Sequence, residues 1–194
     1  MLQVTDRLSA PATRWGRRLL IAVVVGAVAG LAAALLDWAI RFGSGLLIGR
    51  FTHFGTADFV HFDWRVVLLP AGGALIAGLL ALWLSGRSRG HGVDVLTRAF
   101  HRQLGHLPLR QPAVKGVGAA LVISTGGSAG PEGPIAALGA ALGSWIAGRF
   151  PLTPQERRLF LVAGCAAGIG AIFRCPLGGA LFALWRRLSF WSGS

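Results

Sequence analysis

Apolar positions fall first into two long runs and then into several short ones. Leu19 to Ile40 is broken only by Asp37, and Val66 to Ser85 contains no charge. Each approaches the ~20 residues that a helix needs to cross ~30 Å of hydrocarbon, so two spanning helices are expected. Leu19 to Leu36 exceeds the ~7–15 residues of a signal-peptide core and no A-x-A cleavage site follows, which favours a span over a signal sequence.

After the second run the chain turns polar. Within residues 94–104, Val95, Leu96, Ala99, Phe100 and Leu104 recur on one helical face, predicting a short amphipathic helix at the cytoplasmic side. Such a face binds lipid headgroups or, more commonly, packs under a membrane bundle. From Ala113 the pattern changes again. Ala113 to Thr125 is apolar but short, Gly126 to Pro134 is a glycine/proline break, and Ile135 to Phe150 is short once more. Irregular backbone at membrane depth survives only where protein or a polar cavity satisfies its N–H and C=O groups. Short, interrupted apolar segments therefore point to a transport site near the bilayer middle. The last third repeats the style. Pro154 starts a helix with Glu156 in its first turn, and Gly164, Gly168 and Gly170 give it a thin packing face. A break at residues 173–176 precedes a final helix from about Leu177, which ends abruptly within residues 185–194. Neither a repeat of ~20–50 residues nor a low-complexity linker is visible.

Composition agrees with an all-α integral membrane protein: of 194 residues, 54% are hydrophobic and 13% charged. The net charge of +12 would suggest nucleic acid in a soluble protein, but the cations flank the apolar runs instead of forming a basic face interleaved with aromatics. Arg7, Arg14, Arg17 and Arg18 precede the first span. Arg87, Arg89, Arg98, Arg102, Arg110 and Lys115 follow the second. The positive-inside rule then puts both basic ends in the cytoplasm and the 41–65 connection outside. The expected organisation is a cytoplasmic basic N-terminus over 1–18 and a membrane domain over 19–194, multi-pass in the cell membrane. Cys165 and Cys175, ~15 Å apart on one continuous helix, are too distant for a disulfide and read as small buried residues.

Glu132 is one of two glutamates in the chain and stands in Gly130-Pro131-Glu132-Gly133-Pro134. Pro134 suits the first turn of a helix, so the helix begins at Gly133–Pro134 with Glu132 at its mouth. Free N–H groups and the positive end of the helix dipole make that mouth an anion site. Glycines at 126, 127, 130 and 133 let an ion approach the backbone. Capping is the bland role for such a carboxylate. Its burial in a membrane costs ~2.5–3.5 kcal/mol on insertion scales, which favours function. A carboxylate here competes with a permeating anion for the same N–H groups and leaves when protonated, which makes it a gate and a proton carrier. Gly90-His91-Gly92-Val93 offers either a backbone anion nest or an ordinary glycine turn with Asp94 as cap. Arg174 and the histidines at 53, 61 and 101 read as flanking or solvated. No nucleophile constellation, zinc-spaced set or P-loop supports an enzyme, and no cofactor is implied.

Gly126-Gly-Ser-Ala-Gly-Pro-Glu-Gly-Pro-Ile135 resembles the G-x-E-G-P signature of the CLC chloride channels and proton/chloride antiporters, and residues 162–184 look like that family's next block. Together these cover about residues 113–184, and Gly90-His-Gly-Val93 is similar to the family's G-S-G-I-P loop. The resemblance implies a CLC-like first inverted repeat of short, broken, tilted helices. An anion pathway lies where helix N-termini converge, with Glu132 matching the gating glutamate. Gly90, His91, Gly92, Val93, Gly130, Pro131 and Gly133 match the anion-binding positions. His91 stands where the family has serine, Pro131 where it has arginine and Asp94 where it often has proline, so anion contact rests more on backbone N–H groups.

The resemblance covers a first half only. The later G-x-F-x-P loop and its tyrosine are absent, and Trp185 and Arg186 replace the glutamate pair of antiporters. The expected function is chloride channel or proton/chloride antiport, incomplete as a single chain and completed as a homodimer or with a second-half chain. The alternative is a truncated, non-transporting relic or a membrane subunit modulating a full-length partner. The expected partners are chloride or a similar anion, the lipid bilayer and a second copy or second-half chain, not nucleic acid.

Overall fold

Both long apolar runs fold as helices longer than their apolar cores. The computed structural model describes residues 3–51, 64–85 and 93–191. Among these every regular element is α-helical: α1 (Gln3–Phe51), α2 (Trp64–Ser85), α3 (Val93–Arg102), α4 (Arg110–Ser124), α5 (Glu132–Ala147), α6 (Pro154–Ile172) and α7 (Pro176–Trp191). The basic N-terminal segment does not form a separate element, since α1 runs unbroken through residues 18 and 19. Two stretches, Trp15–Gly49 and Val67–Leu84, are long and apolar enough to cross a membrane. Only 22% and 11% of their most apolar windows are buried inside the protein, so these are not the core helices of a soluble domain.

The remaining helices pack more tightly. α5, with 16 residues, reaches only about 24 Å and cannot span hydrocarbon alone. It lies antiparallel on α6, and this is the most extensive helix pair among the described residues. Gly139 and Gly143 of α5 meet Gly164 and Gly168 of α6. A Cβ at Gly139 would strike the Gly164 carbonyl, one at Gly164 the Gly139 carbonyl, and one at Gly143 the Phe160 carbonyl. Two small-x-x-x-small faces therefore bring backbones together where lipid supplies no hydrophobic drive between helices. The amphipathic α3 packs on this pair through Leu96, Ala99 and Phe100, which join Ala136, Ala140 and Leu161 in one core cluster. Packing is thus the use this face finds. Leu104 leaves that face: α3 stops at Arg102, and Leu104 is exposed with φ 52° in the turn beyond. That turn is fastened by the buried Ser144 hydroxyl, which accepts from the Leu107 amide (2.9 Å) and donates to the Gly105 carbonyl (2.7 Å).

Depth can be followed from contacts. The Arg18 guanidinium meets the Glu156 carboxylate at 2.7 Å, and Ile21 and Val25 pack on Ile146, Ala147 and Phe160. One end of α1 thereby lies beside the start of α6 and the end of α5. Further along α1, the Ile40 carbonyl accepts from Ser124 at the end of α4 (3.3 Å), and a Cβ at Gly73 of α2 would strike Thr125. Exposed tryptophans mark the two ends: Trp15, Trp83, Trp145 and Trp185 at the Arg18 end, Trp38 and Trp64 at the other. Trp15 and Trp38 lie 23 positions apart, about 34 Å along a helix, which fits aromatic belts on either side of ~30 Å of hydrocarbon.

One sequence expectation needs correction. Cys165 is buried in α6 but Cys175 is exposed, because the chain breaks at residues 173–175 and no continuous helix joins the two thiols. α7 begins at Pro176 and continues as helix to Trp191, inside the 185–194 stretch where its end is expected. Residues 192–194 lie outside the described residues.

The α6 start is capped by Thr153, whose amide and hydroxyl donate to the Glu156 carboxylate (2.8 and 2.9 Å) while its hydroxyl accepts from the Glu156 amide (3.3 Å). The Thr153 amide, then its hydroxyl and Arg18, hold the Glu156 carboxyl below its ordinary range against the opposing effect of burial. A carboxyl lowered on folding stabilises above its unfolded value and loses that contribution as pH falls through the folded one. The melting temperature in detergent is therefore expected to drop below about pH 4 in the native chain, and Glu156→Gln to flatten that drop; parallel profiles would refute the assignment. Gly139→Leu is expected to cost more than about 1–3 kcal/mol, whereas Gly26→Ala, inside α1 with nothing within 4 Å of the added Cβ, does not lower the melting temperature.

Candidate functional site

The break between α4 and α5 is built from the end of α4 outward. Gly126 adopts φ 90°, a conformation only glycine takes without strain. Its amide donates to Ile123 (3.0 Å) and the Gly127 amide to Val122 (2.9 Å). This paired closure satisfies the Val122 and Ile123 carbonyls in the last turn of α4 and stops the helix. The chain then turns through Ser128 and Ala129 to Pro131, which precedes α5 with no side-chain cap. Glu132 is the first residue of α5, one or two positions earlier than Pro134 suggests. The helix is continued backward because the Pro131 carbonyl accepts from the Ile135 amide (3.0 Å).

The amides of Gly130, Glu132 and Gly133 have no acceptor among the described residues, and Pro131 and Pro134 carry no N–H. These free donors, at the positive end of α5, suit an anion. The Glu132 side chain is exposed and turned back over the loop: a Cβ at Gly130 would strike its carboxylate. Glycine at 130 is thus what leaves room for this rotamer. The break lies toward the Trp38 end, not at mid-depth, since Ser124 bonds Ile40 and Gly126 approaches Ile48.

A cavity of about 640 Å³ opens beside the break. Gly130 and Gly133 line it at one end, Gln111 and Lys115 at the other, and Val95 of α3 also faces it. The first turns of α3 and α5 therefore open on one space, together with a lysine. Gly90, His91 and Gly92 lie outside the described residues, and Val93 opens α3 without a described side chain. Asp94 falls inside the first turn of α3 and is exposed. Of the expected anion positions, the structure brings Gly130 and Gly133 to the cavity and places Pro131 as the residue preceding α5. Lys115 was read only as a topology signal. Its position inside an apolar segment, where a cation is costly, was the available clue. Among the described residues no three metal-ligating side chains come together.

Comparison with known proteins gives one consistent answer. A sequence profile described as voltage gated chloride channel matches residues 72–192. The chain is 37% identical over 177 residues to the voltage-gated ClC-type chloride channel ClcB of Escherichia coli O139:H28, covering 86% of this chain and 40% of that protein. The ClcB of Shigella boydii serotype 18 is similar to the same extent. The chain thus spans about 40% of the length of the curated relatives it matches.

Lys115 charges the cavity that the α5 mouth faces. Lys115→Met is expected to weaken binding of bromide, followed by calorimetry on the purified chain, by about three- to tenfold, and Lys115→Arg to preserve it; equal affinities would remove Lys115 from the site.

Proposed function

Because the chain belongs to the voltage-gated chloride channel family, we propose that it serves the passage of chloride or a similar anion across a membrane, with Glu132 as the gating carboxylate. The observation that supports this most is the rotamer of Glu132, folded over Gly130 beside amides that have no acceptor. A negative carboxylate in that place occupies the field that would hold a permeating anion, and the two exclude each other by like charge. Protonation removes the charge and with it the hold of the dipole, so opening is coupled to proton uptake.

The cations assign the sides. Arg17, Arg18, Arg149, Arg157 and Arg158 collect at the Arg18 end, which the positive-inside rule makes cytoplasmic. Glu132 then faces the outer side. In this reading the anion path is completed by further polypeptide, from a second copy or from a chain corresponding to the remainder of the longer relatives. Gly90, His91, Gly92 and Val93, ahead of and at the start of α3, would supply the inner contacts.

Chloride efflux from liposomes tests the gate, with the chain reconstituted alone and together with a second-half chain. In an active preparation, flux is expected to rise as pH falls, and Glu132→Ala to give a higher flux at neutral pH with that dependence lost. Native-like flux and pH response in Glu132→Ala would defeat the assignment.

A further inference from the structure

A second cavity, of about 470 Å³, lies between α3, α6 and α7 and has no part in the anion reading. Leu159 and Val162 of α6 and Ala183 and Leu184 of α7 form an apolar wall, with Gln155 and Arg158 at the Arg18 end. Arg158 is the unusual member. Its Nε is buried and has no hydrogen-bond partner among the described residues, and its guanidinium sits over the Phe100 ring at 5.4 Å. No acidic side chain is among the described residues that line the cavity. A guanidinium stays charged at any physiological pH, so its buried donor calls for an acceptor and an anionic one is favoured.

The level of the cavity narrows the choice of anion. Arg158 is two residues from Glu156, the partner of Arg18, and Trp15, Trp145 and Trp185 are exposed at the same end. Arg149 stacks on Trp145 at 4.0 Å and Arg18 on Trp15 at 5.6 Å. Tryptophan and arginine together mark headgroup depth. From there the apolar wall continues onto the exposed Leu184 and Leu181 of α7, both within about one turn of Trp185 along the helix.

We propose that this cavity binds an anionic phospholipid, its phosphodiester accepting from the Arg158 Nε and one acyl chain lying along Leu159, Val162, Ala183 and Leu184. A free anion would satisfy the guanidinium but leave the apolar wall uncovered. A zwitterionic lipid offers the same phosphate, yet brings an ammonium group among Arg157, Arg158 and Arg18. Basic pockets between membrane helices select acidic headgroups for this reason.

The test uses the 194-residue chain in nanodiscs of equal parts phosphatidylglycerol and phosphatidylcholine, with retained lipid counted by native mass spectrometry and folding followed by helicity. Phosphatidylglycerol is expected to be retained over phosphatidylcholine by about tenfold, and Arg158→Gln to bring the ratio within about twofold. Arg158→Lys, which keeps the charge but loses the Nε donor, retains only part of the preference. Ala183→Trp, which fills the apolar wall and leaves Arg158 in place, lowers phosphatidylglycerol retention by about tenfold. Excess inorganic phosphate leaves the lipid bound. The proposal is overturned if folded Arg158→Gln keeps the native ratio or if phosphate displaces the lipid. It is equally overturned if a copurifying polypeptide is found in its place with no lipid retained.

Discussion

Where Gly139 and Gly143 meet Gly164 and Gly168, α5 and α6 touch through their peptide groups, with no side chains between them. α5 is too short to cross hydrocarbon by itself, so its depth is set by the helix it leans on. α6 in turn is tied to α1 by the Arg18–Glu156 pair and started by the Thr153 cap. Through this chain of contacts the first residue of α5, Glu132, is held at a fixed depth although its surroundings are glycines and prolines. α3 also packs on this pair, and its Val95 faces the cavity that Gly130 and Gly133 line.

The site combines an ordered frame with an open centre. The Val122 and Ile123 carbonyls near the end of α4 accept from the closure at Gly126 and Gly127, whereas the amides of Gly130, Glu132 and Gly133 at the start of α5 have no acceptor among the described residues. That asymmetry has an electrostatic result. The start of α5 presents these donors at the positive end of its dipole, and the Glu132 carboxylate, turned back over Gly130, lies close to them.

Much of this was legible in the sequence, and the reasons for the rest are physical. Run length and charge placement located α1 and α2, because hydrocarbon thickness imposes them. Glycine and proline located both breaks to within one or two residues, because both residues act on the backbone locally. The Gly164–Gly168 face was visible, but its partner at Gly139 and Gly143 was not, since close approach belongs to a pair of surfaces and one sequence shows each surface alone. The exposure of Cys175 was misread for a related reason: its environment depends on where α6 stops. Lys115 was counted as a flanking charge, and only the packing of α2, α4 and α5 around a cavity gives it a direction. The Gly90–Gly92 loop lies outside the described residues, so the residue reading and the family resemblance remain its only support.

The two tryptophan belts carry one more consequence. Trp64 and Trp83 are 19 positions apart on α2, against 23 between Trp15 and Trp38 on α1. For both pairs to rest in the same two interfaces with α2 upright, α1 has to lean by about 35°. A thinner membrane would increase the lean and a thicker one reduce it, and α1 carries Arg18 at one end and the Ile40 carbonyl near the other. Arg18, which pairs with Glu156 of α6, and the Ile40 carbonyl, which accepts from Ser124 of α4, thus sit on one helix, so any lean of α1 would act on both ends of the frame around Glu132 together.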